Sequence, residues 1–152
     1  MTLTYRSAVP DGIAECIDLR GKTRENSISV ERLRALGITH ESWRGDVAAG
    51  NLPGCVCLEE GKIVGYCFGN KMTGEIAVLA FLPEWEGKGI GRRLLTMVVD
   101  DFAKLGFRRV FLGCSSNPKV RSYGFYRHLG WKSTGSFDYA NDEILEYFPR
   151  GK

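Results

Sequence analysis

The chain has 152 residues, of which 43% are hydrophobic and 26% are charged, and its formal net charge is +3. These values predict a single globular domain over residues 1–152 and exclude a disordered chain, and the charge excess is too small to indicate nucleic acid as a partner. Because the N-terminus carries no apolar signal-peptide core and no run approaches the ~20 apolar residues that cross a bilayer, we expect a cytoplasmic protein with no membrane contact.

The N-terminal part of the chain predicts one strand followed by helices. Residues 3 to 8 favour a short strand, and residues 11 to 21 carry Ile13 and Ile17 at helical spacing. Residues 29 to 37 predict a second helix, and Thr39 is a candidate N-cap for a further helical stretch.

Three strands are predicted next. Residues 54 to 60 and 62 to 70 are rich in strand-forming side chains and meet at Glu60-Gly61, which suits a tight hairpin turn. EIAVLAFL, residues 75 to 82, is almost continuously apolar and predicts a central strand that is buried on both faces.

The C-terminal half alternates helices and strands. An amphipathic helix runs from Gly91 to Gly106, and residues 108 to 114 predict a strand. Pro118 stands where a first helical turn would tolerate it, and VRSYGFYRHLG carries a short helix to Gly130. Strands are expected at 131 to 139 and 143 to 148. The resulting order of elements indicates an α/β (α+β) fold.

The pattern of cysteines indicates a packing role. Their number is odd and they contain no zinc-type C-x-x-C pair, so neither a disulfide framework nor a metal site is expected. The five are Cys16, Cys55, Cys57, Cys67 and Cys114. We expect them to be reduced and mostly buried.

The stretch LPEWEGKGIGRRLL, residues 82 to 95, is rich in glycine between a strand and a helix. Its glycines are Gly87, Gly89 and Gly91, and its cations are Lys88, Arg92 and Arg93. Unpaired backbone N–H groups at such a helix start bind anions, often phosphate. The dinucleotide and P-loop patterns both fail here, since Arg92 and Gly89 occupy positions that those patterns reserve for other residues. The alternative is a connection whose glycines only allow a strand and a helix to pack closely.

Two stretches together resemble a family. VLAFLPEWEGKGIGRRLL looks like motif A, and SSNPKVRSYGFYRHLGW looks like motif B, of the GNAT superfamily of acetyl-CoA-dependent N-acetyltransferases. The predicted order of elements is similar to that fold over residues 3 to 148. The resemblance implies a mixed, mostly antiparallel sheet of about seven strands, with helices on both faces and a splay between strands 4 and 5.

The resemblance also implies acetyl-CoA as a co-substrate. Its pyrophosphate would lie on the backbone N–H groups of Gly87, Lys88, Gly89, Gly91 and Arg92. The pantetheine arm would run along the backbone of Leu79 and Phe81, and Asn117 matches the asparagine of motif B that contacts the cofactor. Glu86 stands where the family usually has Gln or Arg, and we expect its side chain to turn to solvent, to Arg92 or to Arg93.

Acetyl transfer to an amine needs a group that takes a proton from the amine and a group that protonates the leaving thiolate. Tyr126 matches the family's tyrosine acid, with packing as the alternative role and Tyr123 in reserve. Glu75 matches the glutamate base of the histone-acetylating branch; a water relay, or a solvent-facing Glu75, is the alternative. His40 and His128 are expected at the surface.

The acceptor pocket of this fold is usually formed by the first two helices and the last hairpin. The candidate residues for it are Asn26, Trp43, Asp138 and Tyr139. The sequence favours an N-acetyltransferase acting on a primary amine of a small molecule by direct attack in a ternary complex. The alternatives are a protein or peptide acceptor, or an acyl-CoA-binding sensor without turnover. Exposed edges of the last strands would permit a homodimer.

Overall fold

The structure is a computed structural model that describes residues 3–20, 22, 35, 39–138 and 141–149. The described residues form seven strands: β1 (Leu3–Ser7), β2 (Gly54–Glu59), β3 (Lys62–Asn70), β4 (Glu75–Phe81), β5 (Val110–Cys114), β6 (Lys132–Phe137) and β7 (Glu143–Tyr147). They also form the helices α1 (Ile13–Arg20), α2 (His40–Ala48), α3 (Ile90–Lys104) and α4 (Arg121–His128).

All seven strands belong to one sheet with the order β1-β2-β3-β4-β5-β7-β6. Every neighbouring pair is antiparallel except β4 and β5, which are parallel and are connected through α3. The predicted mixed and mostly antiparallel sheet is therefore confirmed.

The turn between β2 and β3 is a two-residue hairpin. Glu60 has φ 51° and Gly61 has φ 80°, and the flanking residues Glu59 and Lys62 are paired. Two successive positive φ angles match the twist of antiparallel strands, which confirms the predicted tight turn.

The two parallel strands diverge after their first contact. Glu75 and Phe111 are the one registered pair between β4 and β5 in the described chain, and the Phe111 N–H donates to the Gly74 carbonyl at 3.2 Å. Along β4 only Ile76 and Ala80 are buried, and Ala77 is exposed. The expectation of a strand buried on both faces was wrong, because the splay leaves one edge of β4 facing an open cleft.

Helices cover both faces of the sheet, as predicted. On one face α3 packs on β3, where a Cβ built on Gly65 would lie 3.1 Å from Ile90 Cγ2. On the other face the Trp43 ring of α2 meets the Phe68 ring edge-on, with centroids 5.2 Å apart. Tyr66 and Phe68 are fully buried side chains of this second face.

Several local predictions can be compared with the structure. Thr39 caps α2, since its Oγ1 accepts from the Ser42 N–H at 3.1 Å. Helix α4 lies within the predicted stretch VRSYGFYRHLG. Pro118 is not in its first turn, because residues 118 and 119 form a separate turn and Val120 is extended. The helix predicted over 29 to 37 lies outside the described residues except at Ala35.

All five cysteines are buried and unpaired, as expected. Within the described ranges, the helices are too short or too polar to cross a bilayer.

Candidate active site

The loop between β4 and α3 holds two glycines in the left-handed conformation. Gly87 has φ 76°, and Gly89, the N-cap of α3, has φ 79°. A Cβ built on either residue would meet no atom within 4 Å. Glycine is therefore needed here for the backbone conformation, and the space in front of both residues is open.

The first turn of α3 presents amide groups that the fold leaves unused. Its first helical hydrogen bond runs from the Arg93 N–H to the Gly89 carbonyl at 3.1 Å. In the described part of the chain, no backbone carbonyl accepts from Ile90, Gly91 or Arg92, and Gly89 supplies no side-chain cap. These N–H groups and the positive end of the helix dipole form a site suited to an anion such as phosphate.

Gly91 has a different role. A Cβ at this position would lie 3.1 Å from Phe81 Cε1 and 3.3 Å from Phe125 Cζ. The missing side chain lets the start of α3 approach two aromatic rings. The two interpretations of the loop thus apply to different glycines: open backbone at Gly87 and Gly89, and close packing at Gly91.

The charges around the loop differ in part from expectation. Lys88 and Arg92 are exposed, and the Arg93 guanidinium lies 4.9 Å from the centre of the Tyr5 ring. Glu86 forms an ion pair with Arg121 at 3.8 Å, and its side chain is only 18% exposed. Of the expected alternatives for Glu86, an orientation towards solvent was wrong, because the fold brings the start of α4 to this loop and Arg121 pairs with the carboxylate.

A cleft of about 250 Å³ opens where β4 and β5 separate. Its walls come from β4, the glycine loop, β5, α4 and the end of α1. The lining residues are 76–81, 85–87, 89–92, 112–114, Arg20, Arg121, Ser122, Phe125 and Tyr126. Past the Glu75–Phe111 pair, the edge of β4 has no ladder partner in the described chain, so its backbone can pair with an extended ligand.

Tyr126 lies at the wall of this cleft and is 9% exposed. Its ring meets Phe125 and Trp131 edge-on, with centroids 5.0 Å and 6.0 Å away. Burial raises the pKa of the Tyr126 phenol well above its usual value. The group therefore keeps its proton at neutral pH.

Tyr123, the reserve candidate, is engaged elsewhere. The Arg127 guanidinium lies 3.7 Å from the centre of its ring, and Arg127 Nη1 donates to the Tyr123 carbonyl at 3.0 Å. Tyr123 does not line the cleft. The geometry therefore favours Tyr126 over Tyr123.

Glu75 is half-buried at the start of β4 and is not among the lining residues of the cleft. Partial burial and the nearby charge of Asp138 raise the pKa of its carboxyl group. Asp138 itself lies against β5, since a Cβ built on Gly113 would be 2.8 Å from Asp138 Oδ2. Asp142 donates its N–H to Asp138 Oδ1 at 3.0 Å. These carboxylates form a local negative field beside the splay.

Asn117 does not lie at the cleft. It is exposed, and its Oδ1 accepts from the Lys119 N–H at 3.0 Å in the turn before α4. The prediction that Asn117 contacts a cofactor therefore stays a prediction without support from this geometry.

Other predicted residues also lie away from the cleft or fall outside the described residues. His128 is exposed at the end of α4, and Trp43 is occupied in packing against Phe68. Asn26, Tyr139 and the side chain of His40 lie outside the described residues.

Three polar residues of the cleft were not expected from the sequence. Arg20 reaches it from the end of α1, and its charge acts against the effect of burial, which raises the pKa of the Tyr66 phenol. Arg121 and Ser122 reach it from the first turn of α4. Ser122 could have been found, because it stands one helical turn before Tyr126. Arg20 could not, since its contact depends on long-range packing.

A family comparison agrees with this geometry. The sequence model described as Acetyltransferase (GNAT) family matches residues 15–131. This match includes the glycine loop, the splayed strands and all of α4. The chain therefore belongs to the GNAT acetyltransferase family.

Two individual relatives are similar to parts of this chain. The chain is 31% identical over 87 residues to the uncharacterized N-acetyltransferase YjgM of Escherichia coli (strain K12), covering 53% of this chain and 50% of YjgM. It is 28% identical over 127 residues to the amino-acid acetyltransferase of Aeromonas salmonicida (strain A449), covering 83% of this chain and 26% of that protein. The matches thus span about half, and about a quarter, of these relatives.

A solved structure with the same fold is the PaiA N-acetyltransferase of Thermoplasma acidophilum in complex with coenzyme A. Its TM-score is 0.81 at 17% identity, covering 97% of this chain and 99% of that one. At this identity the likeness shows the fold alone.

Proposed function

We propose that the protein is an N-acetyltransferase that moves the acetyl group of acetyl-CoA to a primary amine of a small molecule. The observation that carries the proposal is a set of N–H groups at the start of α3 without a backbone partner among the described residues. They open onto a cleft that is also lined by a buried, protonated tyrosine. An anion-binding helix start next to an extended cleft suits a ligand with phosphates at one end and a long arm at the other.

The residues present fit acetyl-CoA. Gly87 and Gly89 leave the front of the loop open, so the backbone N–H groups of Gly87, Lys88, Gly89, Gly91 and Arg92 would hold the pyrophosphate. The free edge of β4 at Leu79 and Phe81 would pair with the pantetheine arm. When bound, acetyl-CoA supplies an activated acetyl group and a thiol leaving group.

In this proposal Tyr126 is the acid. A phenol that keeps its proton at neutral pH can donate it to a thiolate as that group leaves. Its position on the cleft wall, where it is nearly buried, excludes most competing water from the proton transfer.

Glu75 is the proposed base. A lysine-like amine has a pKa of about 10.4 and is mostly protonated at neutral pH, so it must lose a proton before it attacks. Since Glu75 lies beside the cleft and does not line it, we place a water molecule between its carboxylate and the amine. The raised pKa of Glu75 makes it a better proton acceptor than an exposed glutamate.

A small cationic amine is favoured as the acceptor. The carboxylates of Glu75, Asp138 and Asp142 interact with one another beside the splay, and this field attracts a cation before it is deprotonated. The relative from Aeromonas salmonicida is named as an amino-acid acetyltransferase, which also supports a small acceptor.

Thiol release from acetyl-CoA on a panel of amines tests the proposal. We expect thiol release that depends on a small primary amine and saturates with it, with an acetylated product of matching mass. Release only with peptides would replace the small acceptor with a protein one. Saturable binding of coenzyme A without amine-dependent release would make the protein a sensor.

A further inference from the structure

Ser122 has a buried hydroxyl group that the fold does not use. In the described part of the chain, its Oγ is the one buried side-chain oxygen or nitrogen without a hydrogen-bond partner. Such an orphan group costs free energy unless something pairs with it, so its presence calls for a partner.

Local structure offers Ser122 no partner. It lies in the first turn of α4, directly after Arg121, and a serine inside a helix usually bonds the carbonyl four residues earlier. Here that position is Pro118, which stands in the turn outside the helix. A hydrogen-bond partner for the Ser122 hydroxyl must therefore come from outside α4.

The cleft is where such a group can reach it. Ser122 lines the cleft together with Phe125 and Tyr126, and Ser122 and Tyr126 share one face of α4 because they are one turn apart. The facing wall is the edge of β4, which leads from Ile76 towards the glycine loop. A ligand arm that extends between the loop and Tyr126 has to pass along this wall.

We propose that the Ser122 hydroxyl hydrogen-bonds a polar group of the pantetheine arm of acetyl-CoA and so helps to fix the arm in the cleft. This inference rests on the proposed function, because it assumes that coenzyme A occupies the cleft. Ser122 is then a binding residue, distinct from the acid Tyr126. A hydroxyl group can both donate and accept, so it matches either the N–H or the carbonyl of the amides in that arm.

Calorimetric binding of two ligands to Ser122→Ala tests the inference. Coenzyme A carries the arm, whereas 3′-phospho-ADP is the portion of coenzyme A without it. We expect Ser122→Ala to weaken binding of coenzyme A about five-fold, the size expected for one hydrogen bond. Binding of 3′-phospho-ADP should stay unchanged. Ser136→Ala removes an exposed hydroxyl of β6 and is the matched control, with both affinities unchanged.

Melting temperature supplies a readout that a purely structural role would not give. Without ligand, Ser122→Ala should melt at the same temperature as the wild type or higher, because the variant loses an unsatisfied buried group. Its stabilisation by coenzyme A should be smaller. Lower stability without ligand, equal affinity for coenzyme A, or equal weakening of both ligands would each overturn the inference and leave the proposed function intact. A wild type that does not bind coenzyme A would overturn both.

Discussion

Gly91 at the start of α3 lies against Phe125 of α4, so closely that a Cβ on Gly91 would be 3.3 Å from Phe125 Cζ. This contact joins the first turn of α3, the candidate anion site, to the helix that carries Tyr126. The glycine loop therefore does two things: Gly87 and Gly89 shape an open backbone, and Gly91 brings the two helices together.

Substitution of Gly89 should separate the effect of backbone conformation on stability from the effect of packing. Gly89→Ala places a Cβ on a residue with φ 79° in open space, so its cost comes from the backbone alone. We expect the free energy of unfolding to fall by about 1–2 kcal/mol and the affinity for coenzyme A to fall with it. Urea unfolding and calorimetry measure the two effects. Gly89→Asn should lose less stability, because asparagine tolerates this conformation; equal losses would contradict the explanation.

Tyr126→Phe should reduce kcat without reducing binding. The phenylalanine ring keeps the contacts with Phe125 and Trp131 and removes only the acidic hydroxyl. We expect kcat to fall by about 10²–10⁴-fold, with the dissociation constant of coenzyme A unchanged, in thiol-release and calorimetric assays. Because burial raises the pKa of Tyr126, wild-type activity should not decline through its ionisation as pH rises to about 10. A variant with full activity would remove Tyr126 from the mechanism.

Asp138→Asn should move the acid limb of the pH–rate profile to lower pH. The charge of Asp138 contributes to the raised pKa of Glu75 after the larger effect of burial. Without that charge Glu75 ionises at lower pH and acts as a base there. The asparagine oxygen can still accept from the Asp142 N–H, so the hairpin is kept. An unmoved limb would show that Glu75 is not the group that titrates.

Glu75→Gln is the control for this pH effect, and it also has a stability consequence. Because the pKa of Glu75 is raised in the folded state, protonation of its carboxyl group stabilises the fold. This stabilisation is complete below about pH 4.3 and is lost as pH rises through the folded-state pKa. Glu75→Gln should therefore be more stable than the wild type at neutral pH but not at pH 4. Its thiol-release rate should be low and should lack the acid limb.

Glu86→Gln should strengthen binding of coenzyme A. The Glu86 carboxylate lies in the loop that we propose binds the pyrophosphate, and it forms an ion pair with Arg121. Its removal would reduce repulsion of phosphate and leave the Arg121 charge without this counter-charge. We expect the dissociation constant to fall about three-fold at low salt and less at high salt, where charges are screened. Calorimetry at two salt concentrations measures this change. Glu84→Gln, an exposed neighbour outside the cleft, should have little effect; equal effects of both variants would indicate general surface charge.

Local sequence patterns determined a large part of this protein. Hydrophobic periodicity placed the strands and α3, and the Glu60-Gly61 pair placed the hairpin. The glycines around the start of an amphipathic helix identified the loop with open backbone that is the candidate anion site. These features depend on residues that are close together in the chain, so they can be predicted from the sequence alone.

Only the tertiary structure decided which residues meet at the cleft. β4 separates from β5 after one registered pair in the described chain, and it is partly exposed although its composition predicts burial. The positions of α1 and α4 decide three features of the site. Glu86 pairs with Arg121, Arg20 lines the cleft, and Asn117 lies away from the cleft. Such contacts join residues far apart in the chain, and no local pattern encodes the distance between two side chains.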